Sequence, residues 1–219
     1  MVKDNNHLML IAGYDIAELD LLSSSIIVLN NELASAQREL LKANRKLQQN
    51  EIKLTKLTMT DPLTNIANRR YFDDTYNKEY LRAKRYANKG EGFCLALADI
   101  DNFKQVNDLY GHDSGDAVIQ HFAQIMSESI RLTDFVARVG GEEFMLILPK
   151  TDLEGAQILL NRVRSRFKQS RYKGVEQVIT ASFGLTEFTP NISAEELLKN
   201  VDIALYKAKG SGRDKIVIN

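Results

Sequence analysis

Phe93-Cys94-Leu95-Ala96-Leu97-Ala98-Asp99-Ile100-Asp101-Asn102-Phe103-Lys104 decides the fold. Its first part, Phe93 to Ile100, is almost wholly apolar and follows the turn-forming Lys89-Gly90-Glu91-Gly92. A short continuous apolar run of that kind suits a strand buried on both faces of a sheet. Two carboxylates, Asp99 and Asp101, then stand at its C-terminal end. Carboxylates at a buried strand end are costly unless paired or placed on a metal, and ligands of open α/β sheets gather at strand ends. Acidic oxygens there suit a hard cation such as Mg²⁺, which also takes phosphate. Lys104 offers a point charge for a phosphate. The plain structural alternative is the solvated start of a loop.

Outward from this run, helix and strand patterns alternate. Arg69 to Asn88, Ala117 to Leu132, Leu153 to Lys168 and Ser193 to Lys209 carry helical spacing. Ser193 with Glu196 forms a capping box that starts the last of these. Phe135–Val139 and Phe144–Leu148 are strand-like and flank Gly140-Gly141-Glu142-Glu143, which reads as a β-hairpin. Val178–Leu185 and Lys215–Ile218 are further strands. The expectation is an α/β domain, residues 60–219, with a mixed central sheet flanked by helices.

Upstream, Leu22 to Leu57 keeps a seven-residue beat. Ile26, Leu33, Leu40, Leu47 and Leu54 form one seam set. Leu22, Leu29, Ala36, Ala43, Asn50 and Leu57 form the other. Alternating steps of four and three describe a coiled-coil a/d seam, and polar Asn50 would pin its register. No Gly or Pro interrupts the stretch. The predicted element is a long helix, residues 22–59, that pairs in parallel with a second copy and ends ahead of Pro62. A single amphipathic helix packed on its own domain would show a wider apolar stripe. Residues 1–21, with apolar patches Leu8–Ala12 and Ile16–Leu21, fit a short helix, a docking surface or a frayed end.

The formal net charge is zero, with 29 acidic and 29 Lys or Arg side chains, which argues against a broad nucleic-acid surface. Cys94 is the single cysteine, so no intrachain disulfide forms, and it reads as a buried structural thiol. The N-terminal apolar runs are too short to span a bilayer and lack the features of a signal peptide. The expectation is a cytoplasmic protein with no membrane insertion.

Three further groups can do chemistry. Asn107-Asp108-Leu109-Tyr110-Gly111-His112-Asp113-Ser114-Gly115-Asp116 is dense in side chains that hydrogen-bond to bases and sugars; otherwise it is a polar turn before a helix, with Asp116 favouring the helix dipole. In the hairpin, Gly140 and Gly141 let backbone N–H groups approach a ligand. Glu142 and Glu143 alternate if the strand period holds, so one of them faces Asp99. Lys207-Ala208-Lys209-Gly210-Ser211-Gly212-Arg213 is basic at a helix C-terminus, which is also ordinary capping.

Taken together in this order, residues 61–219 resemble the GGDEF diguanylate cyclase family. Asp61-Pro62-Leu63-Thr64-Asn65-Ile66-Ala67-Asn68-Arg69-Arg70 resembles its entry motif. It departs at Asn65-Ile66, where the family has Gly-Leu; Asn tolerates left-handed geometry better than most residues. Gly140-Gly141-Glu142-Glu143-Phe144 is an accepted variant of the signature. The resemblance implies an α+β palm-like domain that condenses two GTP into cyclic di-GMP and two pyrophosphates, as a homodimer with one GTP per subunit. It further implies that Asp99, the Ile100 carbonyl and Glu142 hold Mg²⁺, with Mn²⁺ as a substitute. Asn107 and Asp116 would read guanine. Phe103, Lys104, Lys209 and Arg213 would bind the β- and γ-phosphates, and Gly140 and Gly141 would admit the α-phosphate. Glu143 would help ionise the attacking 3′-hydroxyl. Arg131-Leu132-Thr133-Asp134 resembles the family's inhibitory product site, with Arg162 in support. Arg forks suit phosphates and guanine edges.

One domain holds one GTP, so a second copy must be presented; a coiled-coil stalk does so at high effective concentration. The competing readings are a catalytically silent module that binds GTP or cyclic di-GMP, another nucleotide cyclase of like architecture, and a scaffold built on the coiled coil. No sensor domain is legible in the first sixty residues, so a regulatory protein partner at the N-terminus or a change of stalk register is expected to control pairing.

Overall fold

In a computed structural model, the backbone of residues 5–86 and 91–219 is described, with the side chains of 18–50, 59–86 and 91–219. The chain divides into two units, Met1–Thr55 and Lys56–Asn219. Helix α1 (Asn5–Met59) runs for 55 residues. Leu22, Ile26, Leu29, Leu33, Leu40 and Leu47 are all more than half exposed on it. The side chains of the seam positions Leu54 and Leu57, of the patch Leu8–Ala12 and of Ile16 and Ala17 in the second patch, and the whole of the Lys89-Gly90 turn, lie outside the described residues. No described helix is long and apolar enough to cross a membrane.

The second unit is a six-stranded mixed sheet in the order β1-β3-β4-β2-β5-β6. The strands are β1 (Ala67–Asn68), β2 (Phe93–Ile100), β3 (Phe135–Arg138), β4 (Glu143–Pro149), β5 (Ala181–Glu187) and β6 (Ile216–Ile218). Central β2 pairs antiparallel with β4 and β5, and the outer pairs β1–β3 and β5–β6 are parallel. All eight β2 residues are buried. The two-residue side-chain period divides them between two cores. Phe93, Leu95 and Leu97 pack with α2 (Arg69–Arg85) and α6 (Ala194–Gly210). Cys94, Ala96, Ala98 and Ile100 pack with α3 (Phe103–Tyr110), α4 (His112–Ser129) and α5 (Leu153–Gln169). Cys94 is buried, its thiol donates to the Thr151 carbonyl at 3.1 Å, and burial pushes its pKa up to about 12.

Specific contacts fix the helices to the sheet. Tyr76 and Tyr80 of α2 donate to the carbonyls of Ala194 and Ile192 at 2.7 and 2.8 Å, joining α2 to the start of α6. Ser193 caps α6 by accepting from the Glu196 amide at 3.1 Å. Gly184 of β5 carries α6 directly: a Cβ there would lie 2.2 Å from the Val201 carbonyl oxygen and 2.6 Å from the Leu205 nitrogen. Asn65 adopts φ 58, in the left-handed region, with its amide on the Asp61 carbonyl at 2.8 Å.

Candidate active site

At the C-terminal end of β2 three connections meet: the turn into α3, the β3–β4 hairpin and the loop from α6 to β6. Asp99 is the last acidic residue of β2 and is buried. Its register partners are Glu143 on β4 and Ser182 on β5. Glu142 lies in the turn ahead of β4, and its carbonyl accepts from the Ile100 amide at 3.4 Å. Of the two glutamates, Glu143 is the one in register with Asp99, while Glu142 stands outside the strand. Burial raises the Asp99 pKa to about 6 against the opposing pull of Lys209, and both glutamates push it further up. Lys209 Nζ sits 2.7 Å from Asp99 Oδ2, so an ammonium offsets the negative potential of this spot.

Asp101, by contrast, is engaged in structure. It is buried and accepts from Thr180 Oγ1 at 2.7 Å, Ser182 Oγ at 2.6 Å and the Asp214 amide at 3.0 Å. Three saturating hydrogen bonds make a buried carboxylate tolerable.

The two hairpin glycines differ. A Cβ on Gly140 would lie 2.5 Å from Glu143 Oε2, so this glycine makes room for the glutamate. A Cβ on Gly141 would meet nothing within 4 Å, and its φ is not left-handed. Nothing within the domain demands a glycine there; a ligand pressed against bare backbone would. Arg138 at the end of β3 holds the tip. Its Nε donates to the Gly140 and Gly141 carbonyls at 3.2 and 3.1 Å, and Nη2 to Gly141 at 2.8 Å. Its Nη1 meets Asp61 at 3.1 Å, which also receives the Thr64 amide and hydroxyl.

Helix α3 begins at Phe103 with Asn102 at φ 54 and no side-chain cap. The Gln105 amide bonds the Asn102 carbonyl at 2.9 Å, and the first two amides, of Phe103 and Lys104, have no side-chain cap, an arrangement suited to an anion. Phe103 is buried and Lys104 is exposed. Gly111 turns the chain at φ 83 directly into α4. The two helices cross at Gly115, where a Cβ would lie 1.9 Å from Asn107 Oδ1 and 3.1 Å from the Phe103 ring. This contact places Asn107 one residue from Asp116, which is exposed on the first turns of α4.

Arg131 and Asp134 lie at the other end of β3. Asp134 Oδ2 accepts from the Arg131 amide at 2.9 Å, and its own amide returns to the Arg131 carbonyl at 3.0 Å. The turn closes on itself and leaves Leu132 fully exposed. Arg162 of α5 donates to the Ser129 carbonyl, two residues before Arg131. Arg131 also lines a cavity of about 400 Å³ with Lys150, Asp152 and Gly155.

Among known proteins, the family described as "Diguanylate cyclase, GGDEF domain" matches residues 58–215. The chain belongs to the GGDEF family. The diguanylate cyclase DgcP of Pseudomonas aeruginosa is 40% identical over 162 residues, 73% of this chain and 24% of DgcP. The chain spans between about a quarter and a half of the length of the curated relatives it matches. The coiled coil and GGDEF domain of DgcB from Caulobacter crescentus, solved in complex with c-di-GMP, is similar with TM-score 0.75 and 32% identity, covering 87% of this chain and 99% of that one. SiaD of Pseudomonas aeruginosa, solved in complex with its activator SiaC, has TM-score 0.70 and 34% identity, covering 97% of this chain and 84% of SiaD. The mixed sheet and flanking helices agree with the fold read from sequence, and α1 with the expected long N-terminal helix.

Of the residues singled out in the sequence, Asp99, Ile100, Glu142, Glu143 and Lys209 come together at the end of β2. Asn107 and Asp116 lie at the α3–α4 crossing, and Phe103 and Lys104 at the start of α3. Arg213 sits in the α6–β6 loop. Sequence reasoning missed Arg138, whose ion-pair partner Asp61 is distant in the chain, and Arg164, Lys168 and Asp214, which pair across a long separation. It also missed Arg69 and Asp202, which share a pocket with Glu143.

Proposed function

We propose that this GGDEF protein is a diguanylate cyclase that joins two GTP into cyclic di-GMP and two pyrophosphates. One observation carries the reading. Asp99, Glu142 and Glu143 converge beside the uncapped start of α3 and the bare backbone of Gly141. Positioning and charge neutralisation are the main requirements of phosphoryl transfer. Asn107 and Asp116 supply the acceptors and donor that read a guanine edge. Lys104, Lys209, Arg213 and the first α3 amides bind the β- and γ-phosphates. Lys209 leaves Asp99 to do so. Gly141 admits the α-phosphate, and Arg138 holds the hairpin at the height this requires. In each half-reaction the 3′-hydroxyl of one GTP attacks the α-phosphorus of the other. The α–β bridging bond breaks and pyrophosphate leaves; Glu143 takes the hydroxyl proton.

The donor set fits Mg²⁺. Asp99, the Ile100 carbonyl and Glu142 are hard oxygens; burial, with a smaller push from Glu142 and Glu143, raises the Asp99 pKa to about 6, and a bound cation would offset that cost. No group of three or more His, Cys, Asp or Glu ligands is assembled among the described residues. That suits an ion that keeps waters and takes substrate oxygens. Bound there, Mg²⁺ or Mn²⁺ would offset charge on the leaving pyrophosphate.

Residues 22–59 form the dimerisation stalk, supported by the exposed leucines of α1, and residues 60–219 the catalytic domain. Residues 1–21 and the upper stalk receive a regulatory protein. Arg131, Asp134 and Arg162 take cyclic di-GMP as feedback inhibitor. The test is incubation with GTP and Mg²⁺ and identification of the product by mass, beside Glu142→Ala. Cyclic di-GMP lost in the variant supports the reading. A dimer that binds GTP with no product leaves a missing activating partner or a binding module; titration with labelled cyclic di-GMP is then the next step.

A further inference from the structure

The loop from α6 to β6 holds two non-glycine residues in succession in the left-handed region, Arg213 at φ 58 and Asp214 at φ 47, after Gly212 at φ 104. Such conformations persist where surroundings over-determine them, and they collect at functional sites. Here the surroundings are explicit. The Asp214 amide donates to buried Asp101 at 3.0 Å. Its carbonyl and Oδ1 both accept from Arg164 Nη1, at 2.7 and 2.8 Å. Its Oδ2 takes Lys168 Nζ at 2.7 Å. Burial disfavours the charged form, but Lys168 and Arg164 outweigh it and hold the carboxyl below its usual range. Every polar group of Asp214 is thus fixed, from α5 on one side and from the end of β2 on the other. Arg164 meanwhile keeps a buried Nε without a partner, a rare condition that calls for a reason. The neighbouring Arg213 is tethered through its amide to the Ala208 carbonyl at 3.1 Å, next to Lys209.

From this we infer that Asp214 is a positioning residue: clamped by Asp101, Arg164 and Lys168, it holds Arg213 in the conformation that meets the triphosphate. The inference rests on the cyclase reading above and adds to it a support reaching from α5. A clamp of this kind acts on phosphate affinity and leaves guanine recognition, carried by α3 and α4, untouched.

The test titrates the full chain with guanosine and with α,β-methylene GTP, whose bridging carbon blocks transfer. Asp214→Gly keeps the left-handed backbone accessible and removes the carboxylate. It is expected to weaken the triphosphate analogue about tenfold, the scale of one charge-assisted hydrogen bond, with guanosine unchanged. Arg164→Met, which leaves the loop sequence intact, should reproduce that selective loss. In an Arg213→Ala background the Asp214→Gly effect should vanish, because it acts through Arg213. Equal loss for both ligands, a loss that persists without Arg213, or no loss overturns the inference. An unaltered chain that fails to bind the analogue sinks the cyclase reading and this inference together; equal binding by the unaltered chain and Asp214→Gly sinks the inference alone.

Discussion

Replacing Arg138 with Met tests how the hairpin is held. The side chain is 15% exposed and its partner Asp61 17%, so water does not take over the interaction freely. Removing the guanidinium deletes the ion pair and three donations to the Gly140 and Gly141 carbonyls. The carbonyls at the tip can be rehydrated, and Asp61 keeps both Thr64 contacts. The loss therefore falls at the low end for a buried pair, about 2–3 kcal/mol. For a unit of this size that lowers the melting midpoint by roughly 5–10 °C. Tyrosine fluorescence reports it cleanly, since there is no tryptophan and seven of eight tyrosines lie beyond residue 60. The effect carries a pH signature. Burial works against the Asp61 charge, but hydrogen bonds from Thr64 and Arg138 win and keep its pKa below 3.8. A carboxyl with a depressed folded pKa contributes stability above its unfolded pKa and loses it as pH falls through the folded value. The gap between the unaltered chain and Asp61→Asn should accordingly close on acidification below about pH 4. A midpoint shift in Arg138→Met under about 2 °C, too small for the loss of one buried pair, would refute the argument.

Three other outcomes are expected. Gly184→Ala drives a methyl into the backbone of Val201 and Leu205 and should cost about 3 kcal/mol or more, at the upper end of overpacking, read as a lowered denaturant midpoint. Gly141→Ala meets open space, so melting should stay within about 2 °C of the unaltered chain, while cyclic di-GMP formation falls at least about tenfold; retained activity would remove Gly141 from the site. Leu33→Lys with Leu40→Lys puts charge in the stalk seam, and sedimentation should show a shift from dimer to monomer, with turnover becoming steeply dependent on protein concentration.

Sequence disclosed most where burial is uniform. β2 was legible residue for residue because every side chain between Phe93 and Ile100 is covered, and α6 because Ser193 announces it. Helix α3 is not legible as a helix, and its second half falls in the stretch Asn107–Asp116 for which a polar turn is one reading: only Phe103 and Val106 of its eight residues are buried, too few for a period to show. Helix α4 begins at His112, five residues before the expected Ala117, because its first turns carry polar residues beside the proposed site. Strand β5 begins at Ala181, since Val178 is half exposed and Thr180 turns its hydroxyl to Asp101. The two-residue β1 is too short to leave a pattern. At the site, residue types pointed to Asp99, Glu142 and Lys209. They could not reveal that Lys209 pairs with Asp99, or that Asp101 serves a distant loop, because those contacts join positions about a hundred residues apart in the chain.

The absence of a side chain at Gly184 has a mechanical result. Helix α6 rides on β5 like a shaft in a bearing with no clearance, since even one methyl would collide with its main chain. Interiors this dense transmit force and do not yield to it. At this point the helix cannot move any closer to the strand. In the cyclase reading proposed above, Lys209 would exchange Asp99 for a phosphate by swinging about its own side-chain bonds, from a helix seated directly on the strand.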